Sequence, residues 1–179
     1  MLNIAYNNFL NRNVLKKEFG IFIKEESFWI EYTTNFLLLK KGFKNKSWIN
    51  FPKKFKNNNE ISTVWKKENG SELEEIKFEQ FLFFHQWEKI KEYAHANNIE
   101  IIGDIPIFVS YDSADVWANR SIFKLDPKGK PKVVAGVPPD YFSKTGQLWG
   151  NPHYNWEILK EKDYFWWVNR IKHTLKMVD

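Results

Sequence analysis

The residues most able to do chemistry lie between positions 99 and 154. Asp104 follows Gly103 at the end of a short apolar run and precedes a proline-containing loop, so we expect it where a strand passes into a loop. In α/β sheets and barrels, the carboxyl end of a strand is where binding and catalytic sites are built. The alternative is that the Asp104 carboxylate caps nearby backbone N–H groups, and the spacing alone does not choose between these roles.

A second group of candidates lies on the loop between Gly136 and Tyr154. Glycines and prolines make this loop rigid in places and permissive in others. A pyranose presents an apolar C–H face that stacks on an aromatic ring and a rim of hydroxyls that need amide or carboxylate partners. The loop therefore predicts a carbohydrate site, the alternative being an aromatic-rich loop that packs on its own domain. The candidate sugar-contacting residues are Asp140, Tyr141, Phe142, Gln147, Trp149 and Asn151, with Tyr154 as a further ring.

Other site chemistries find no support in the sequence. No P-loop, GxGxxG, GxSxG or HExxH motif is present, and the chain has no cysteine. The four histidines do not have metal-ligand spacing, and we expect His85 and His95 on a helix surface or in packing. We therefore expect neither a metal nor a cofactor.

Composition indicates one ordinary globular core in 179 residues, 43% of them hydrophobic. The nine tryptophans and sixteen phenylalanines are more than packing requires, although most are expected in the core. The net charge of +5 comes from lysines scattered among asparagines, which argues against a nucleic-acid stripe. The sequence has no signal-peptide pattern and no apolar run of membrane-spanning length, so the cytoplasm is the default and no membrane partner is expected.

The elements that would position the candidate residues alternate in the manner of an α/β fold. A helix is predicted from a capping box at Ser71 and Glu74 to Asn97 or Asn98, where a left-handed residue is tolerated. A short strand follows at 99–102, and its unbroken apolar character is typical of a sheet covered on both faces. The helix is predicted from the three-to-four spacing of Phe81, Phe84, Trp87, Ile90 and Ala94.

Four further elements are predicted from local patterns. One helix ends with Lys40 and Lys41 in its last turn and Gly42 as its cap, and another begins at Asp112 or Ser113. A small hairpin is expected around DPKGKP, between 123–125 and 132–134. A last helix begins at Asn155 or Asp163, with an apolar face suited to dock on a sheet, formed by Tyr164, Trp167, Val168, Ile171, Leu175 and Val178.

Two segments resemble a known family. They read FLFFHQWEKIKEYAHANNIEIIGDIPIFVSYDSADVW and VVAGVPPDYFSKTGQLWGNPHYNW. Both are similar to 4-alpha-glucanotransferases, also called amylomaltases or disproportionating enzymes, of glycoside hydrolase family 77 in the alpha-amylase clan. VAGVPPDYFS followed by GQxWGNPxY looks like that family's signature loop over the active site. The resemblance is strong from Phe78 onward and weaker over residues 19–77.

The resemblance implies an α/β fold, namely a partial (β/α)8 TIM barrel with an inserted helical and loop subdomain. Residues 1–70 would form the inserted subdomain and residues 71–179 the partial barrel. The implied activity is transfer of α-1,4-glucan segments between maltooligosaccharides with retention, through a covalent glycosyl-enzyme. On the family pattern, Asp104 ends the third barrel strand beside the sugar ring at the cleavage site. The loop positions lining the donor and acceptor path would be Asp140, Tyr141, Phe142, Trp149 and Asn151.

The family's catalytic pair is expected outside this sequence. The nucleophile belongs to an R-x-D-H-x-R-G type motif that is absent here, and Asp179 looks like a residue a few positions before that strand. We therefore expect an internal fragment without catalytic residues of its own, inactive alone, whose partners are an α-glucan and a second chain that supplies the rest of the barrel. The alternatives are a non-catalytic glucan-binding fragment and a non-functional remnant of a divided gene.

Overall fold

The computed structural model describes residues 2–12 and 14–179. The described residues form eight α-helices, two strands and four short 3-10 turns. In chain order the helices and strands are α1 Leu2–Asn11, α2 Lys16–Glu25, α3 Ser27–Gly42, α4 Thr63–Glu68, α5 Gly70–Ala96, α6 Ala114–Ala118, β1 Val134–Val137, β2 Gln147–Pro152, α7 Trp156–Glu161 and α8 Phe165–Met177. The 3-10 turns are Trp48–Asn50, Lys53–Phe55, Asn58–Glu60 and Arg120–Ile122.

The predicted helix before position 99 is confirmed as α5, which is 27 residues long. Its predicted capping box is wrong: Asn69 precedes the first turn without a side-chain cap, and Ser71 lies inside the helix. The C-terminal prediction is confirmed, since the helix ends at Ala96 and Asn98 follows with a φ of 58°. A residue in the left-handed conformation ends a helix by redirecting the chain, and asparagine tolerates it better than most residues.

The main hydrophobic core joins α3, α6 and α7 to the irregular segment 48–61. Trp48 and Trp117 are fully buried, and each indole N–H donates to a backbone carbonyl, that of Tyr111 at 2.7 Å and that of Phe55 at 2.9 Å. A buried indole needs such a partner, because an unpaired buried N–H costs free energy. The core draws on residues from both sides of position 70, and the division into domains at that point stays a prediction.

Two predicted helix ends differ in outcome. Ser113 caps α6 as predicted, accepting from the Val116 N–H at 3.3 Å. Lys40 and Lys41 lie in the last turn of α3 as predicted, but Gly42 is not the left-handed cap. That conformation falls on Lys44 and Asn45, because the chain turns only after the helix has ended.

The predicted strand at 99–102 is wrong for the described residues, in which these positions join no sheet. Ile102 is 92% exposed, the opposite of a strand covered on both faces. An extended segment becomes a strand only when neighbouring main chain pairs with it, and within residues 2–12 and 14–179 Ile101 bonds only to Asp179. The Ile101 carbonyl accepts from the Asp179 N–H at 3.0 Å, and its N–H donates to the Asp179 carboxylate at 2.8 Å.

The sheet seen in the described residues is an antiparallel pair of β1 and β2. Val134 pairs with Pro152, Gly136 with Leu148 and Val137 with Gln147, with a bulge between the first two pairs. The predicted hairpin around DPKGKP is confirmed in reduced form, as a single bridge between Leu125 and Pro131. Its expected second arm continues instead into β1.

The predicted last helix is divided in two by a left-handed pair at Asp163 and Tyr164. The first part, α7, follows Asn155 as predicted, and α8 begins at Phe165. Much of the apolar face of α8 is exposed, and no sheet in the part of the chain that is described covers it. No helix in that part is long and apolar enough to cross a membrane.

Candidate functional site

The tip of the predicted loop is a tight turn built by Asp140. Its Oδ1 atom accepts from the backbone N–H groups of Phe142 at 2.9 Å and Ser143 at 2.7 Å. The Ser143 hydroxyl then donates to the Gly146 carbonyl at 2.7 Å. Asp140 was predicted as a sugar-contacting residue. In the structure, one of its carboxylate oxygens stabilises this turn.

The same turn presents two aromatic rings to solvent. Tyr141 is 96% exposed and Phe142 is 91% exposed, and their rings meet edge to face with centroids 5.6 Å apart. Exposing two large rings is unfavourable for a protein surface, because neither gains from burial. Their positions are therefore available for a ligand with apolar faces.

Trp149 supplies a third ring on β2. It is half exposed, and its indole N–H donates to the Gln147 side-chain oxygen at 3.0 Å. The edge of its ring faces Phe108, with centroids 6.5 Å apart. The two predicted residues Gln147 and Trp149 thus lie together, separated by one residue on the strand and facing the same side.

The segment that follows Asp104 is tied down by three donors, each bonded to a different backbone carbonyl. The Asn151 amide donates to the Val109 carbonyl at 2.8 Å. The Tyr154 hydroxyl donates to the Ile107 carbonyl at 2.7 Å, and the Arg170 guanidinium to the Pro106 carbonyl at 2.7 Å. This network joins the loop, α8 and the 104–110 segment into one framework.

Tyr154 was predicted as a further ring for stacking on a sugar, and its burial shows that this is wrong. Its side chain is 2% exposed and packs between Phe108, Phe123, Trp166 and Trp167. Burial raises the pKa of Tyr154 to about 12, with Arg170 opposing the rise and Asp115 adding to it. The hydroxyl therefore remains a proton donor at neutral pH.

Asp104 is exposed, and its carboxylate makes no hydrogen bond to any residue in 2–12 or 14–179. The alternative, that the Asp104 carboxylate caps backbone N–H groups, is therefore wrong for residues 2–12 and 14–179. A Cβ at Gly103 would lie 3.2 Å from the Cβ of Val178, so the glycine permits close packing of the chain just before Asp104. No hydrogen bond joins Asp104 to Tyr141 or Trp149 in residues 2–12 and 14–179.

Sequence reasoning missed Phe108 and Arg170. Phe108 lies between Trp149 and Tyr154, and its ring is nearly parallel to that of Tyr154 at 6.4 Å. Arg170 lies over Trp166 and Trp167 at 5.2 and 5.4 Å from the ring centroids. The rarity of arginine offered a signal for Arg170, because lysine supplies nearly all the cationic side chains and arginine is preferred where a planar group must stack and donate together.

The arrangement can bind a sugar by stacking and by hydrogen bonds from amides. Its exposed rings are held by a turn and a strand, so little conformational freedom is lost on binding. No group of three or more His, Asp or Glu side chains in the described part of the chain could hold a metal ion.

Comparison with known proteins gives consistent matches. The family model described as 4-alpha-glucanotransferase matches residues 1–179. A 4-alpha-glucanotransferase of Aquifex aeolicus is 42% identical over 181 residues, which cover 100% of this chain and 36% of that protein. One of Clostridium butyricum is 43% identical over 182 residues, covering 100% and 37%.

A solved structure extends these matches to the fold. The amylomaltase from Streptococcus agalactiae in complex with acarbose has a TM-score of 0.90 and 38% identity, over 99% of this chain and 36% of that one. The chain therefore spans about a third of the length of the relatives it matches.

Proposed function

The chain belongs to the 4-alpha-glucanotransferase family, and we propose that it forms one wall and the covering loop of a glucanotransferase cleft. The reaction is transfer of α-1,4-glucan segments between maltooligosaccharides. The observation that carries the proposal is the 140–149 loop, which holds three exposed aromatic rings in the segment that resembles the family's signature. The cytoplasmic location stays a prediction.

The proposal includes the barrel that the resemblance implies. Residues 99–102 become the third strand of a (β/α)8 barrel once neighbouring strands pair with them. Two features support this. The main chain of Ile101 already bonds to Asp179, and the exposed apolar face of α8 is suited to pack on a sheet.

In this cleft the exposed rings of Tyr141, Phe142 and Trp149 stack on glucose units, and Gln147 offers an amide to their hydroxyls. Asp104 lies at the end of the third strand and accepts from the hydroxyls of the sugar at the cleavage point. Its carboxylate is free to do so because no side chain in the described part of the chain engages it.

Retention requires two carboxyl groups close together, one as nucleophile and one as acid/base. We assign neither role to a residue of this chain, since Asp140 is bonded into the turn and Asp104 has the position of a sugar-binding carboxylate. The catalytic pair would come from the part of the family's length that this chain does not span. We therefore expect the 179-residue chain to be inactive alone.

The test is complementation. The chain is mixed with the part of the Aquifex aeolicus relative that it does not match, and glucose release from maltotriose is measured for each part and for the mixture. We expect activity only in the mixture, and a loss when the chain carries Trp149→Ala. A mixture no more active than its parts, with both parts folded and associated by sedimentation, contradicts the proposal.

A second candidate function is glucan binding without catalysis, favoured by the exposure of Tyr141 and Phe142 in the chain by itself. Titration with maltooligosaccharides, followed by tryptophan fluorescence, tests it. Trp149→Ala should abolish the signal, whereas Trp156→Ala should not, because Trp156 has similar exposure but stacks on Trp167 outside the loop. Equal signals from both variants would remove this function.

A further inference from the structure

A cavity of about 640 Å³ lies between α2, α5 and α8, away from the 140–149 loop. Apolar side chains from the three helices line it, among them Phe22, Phe84, Trp87 and Met177. A volume of this size is typical of ligand sites and accommodates several large side chains. We refer to this cavity as the α2–α5–α8 groove.

The walls of the groove are fixed relative to one another. Phe22 on α2 meets Phe84 on α5 with ring centroids 5.6 Å apart, and Phe84 meets His173 on α8 at 5.1 Å. Glu26 is buried and accepts from His173 at 2.9 Å and from Lys176 at 2.7 Å. The groove therefore exists before any ligand arrives, which lowers the entropy cost of binding.

The groove is acidic although the chain carries a net charge of +5. Its lysines are already neutralised: Lys176 pairs with Glu25 and Glu26, and Lys91 pairs with Asp179 at 3.2 Å. Carboxylates without an ion pair in the described part of the chain remain on both sides of the apolar floor. They are Glu18 on α2, and Glu88 and Glu92 on α5.

We propose that the α2–α5–α8 groove binds a positively charged amphipathic helix of a partner protein. Glu88 and Glu92 are one helical turn apart, roughly 6 Å along α5, which matches the spacing of basic side chains on one edge of a helical ligand. Glu18 faces the opposite edge from α2. Apolar residues of the ligand, three or four positions apart, cover Phe84 and Trp87.

Charge complementarity favours this occupant over the others. A neutral glucan has no cations to place beside three free carboxylates. Two copies of this chain, each with a net charge of +5, repel each other overall. This proposal is independent of the glucanotransferase function, since the groove shares no residue with the loop.

The experiment uses a fluorescein-labelled helical peptide of leucine and lysine, with the leucines on one face and the lysines along both edges of that face. Anisotropy is measured against the 179-residue chain at low and high salt. We expect binding that weakens with salt, and a loss of about 5–10-fold in affinity for Glu88→Gln/Glu92→Gln. The matched control is Glu75→Gln/Glu79→Gln, on the same helix with the same spacing and charge change but outside the groove, for which we expect less than a twofold change.

The affinity of Ile21→Ser for the peptide and the oligomeric state of the chain distinguish the proposed site from the alternatives. Ile21→Ser removes a half-exposed apolar side chain from the groove wall and should weaken binding, whereas purely electrostatic attraction would leave the affinity unchanged. Equal losses from the two glutamine pairs, equal binding of a leucine–glutamate peptide, or no binding at low salt would overturn the proposal. A concentration-dependent dimer that Glu88→Gln/Glu92→Gln abolishes would assign the groove to a second copy instead.

Discussion

The hydroxyl of Tyr154 provides the sharpest test of how the site is held. Tyr154→Phe keeps the ring and its aromatic contacts and removes the hydroxyl, which donates to the Ile107 carbonyl at 2.7 Å and accepts from the Arg170 guanidinium at 3.5 Å. The hydroxyl is nearly inaccessible to solvent, so its bond is not replaced by water from the tyrosine side. A buried hydrogen bond of this kind contributes about 1–2 kcal/mol, including the cost of the unpaired carbonyl.

The measurement is urea unfolding of the 179-residue chain, with thermal melting as a second readout. We expect the free energy of unfolding to fall by about 1–2 kcal/mol, with an unchanged m-value, and the melting temperature to fall by about 3–6 °C. Tyr141→Phe is the matched control, because its ring is 96% exposed and we expect no measurable change. Equal stabilities for the two variants would refute the view that Tyr154 anchors the segment after Asp104.

The difference in stability between the wild type and Tyr154→Phe should depend on pH. The pKa of Tyr154 is raised from 10.0 in the unfolded chain to about 12 in the folded one. Its protonated form is therefore favoured by folding, and this contribution to stability is complete below pH 10 and lost as the pH rises toward 12. We expect the stability advantage of the wild type over Tyr154→Phe to shrink over that interval. An advantage that stays constant from pH 9 to 12 would contradict the burial of this hydroxyl.

Three further predictions concern other positions. Asp140→Ala should weaken maltooligosaccharide binding, measured by tryptophan fluorescence. Asp140→Asn should retain most of the binding, because an amide oxygen can still accept from the N–H groups of the turn. An equal loss in both variants would mean that the carboxylate itself contacts the sugar. Gly146→Ala should lower the free energy of unfolding in urea by about 1–2 kcal/mol. The residue has a φ of +72°, and a Cβ at this position would press on Pro138, so the alanine variant is strained. An unchanged free energy of unfolding would show that this strain is absent. Burial of Glu26 opposes its ionisation, but hydrogen bonds from Lys176 and Trp29 and the charge of His173 outweigh this effect and lower the pKa of Glu26 below 4.5. The contribution of Glu26 to stability is therefore present above that pH and lost as the pH falls. Glu26→Gln should therefore flatten the acid limb of the stability curve relative to Glu25→Gln, and identical limbs would contradict this.

The local elements of the fold were predictable where a residue's own chemistry decides the structure. The spacing of Phe81, Phe84, Trp87, Ile90 and Ala94 identified α5. Phe81 and Ala94 are buried there, whereas Ile90 is 54% exposed. The start of α6 was predictable because a short polar side chain such as that of Asp112 or Ser113 satisfies a free N–H at the start of a helix, and the structure selects Ser113. The capping box at Ser71 failed because the helix already begins at Gly70, which makes Ser71 part of the first turn.

The prediction failed where the structure of a segment depends on distant residues. The apolar run at 99–102 has the composition of a buried strand, but composition does not say which main chain pairs with it. The same limit applies to Tyr154, whose exposure depends on Phe123, Trp166 and Trp167. Arg170 was missed because its carbonyl partner at Pro106 is 64 residues away in sequence.

Five of the seven predicted site residues fall into two groups with different physical roles. Tyr141, Phe142 and Trp149 expose their rings. Asp140 and Asn151 instead use polar side-chain atoms to form hydrogen bonds with the main chain, Asp140 within the loop and Asn151 with the 104–110 segment. A binding surface made of exposed rings needs Asp140 and Asn151 as supports. Without them, the conformational entropy lost when the rings become ordered on binding would cancel the free energy gained by stacking. Composition identifies both groups together, since asparagine and aspartate are as suited to sugar hydroxyls as to backbone turns. Only the hydrogen-bond partners separate them. They assign Asp140, Asn151, Tyr154 and Arg170 to the framework of the proposed site and leave the exposed aromatic rings as its proposed ligand-facing surface.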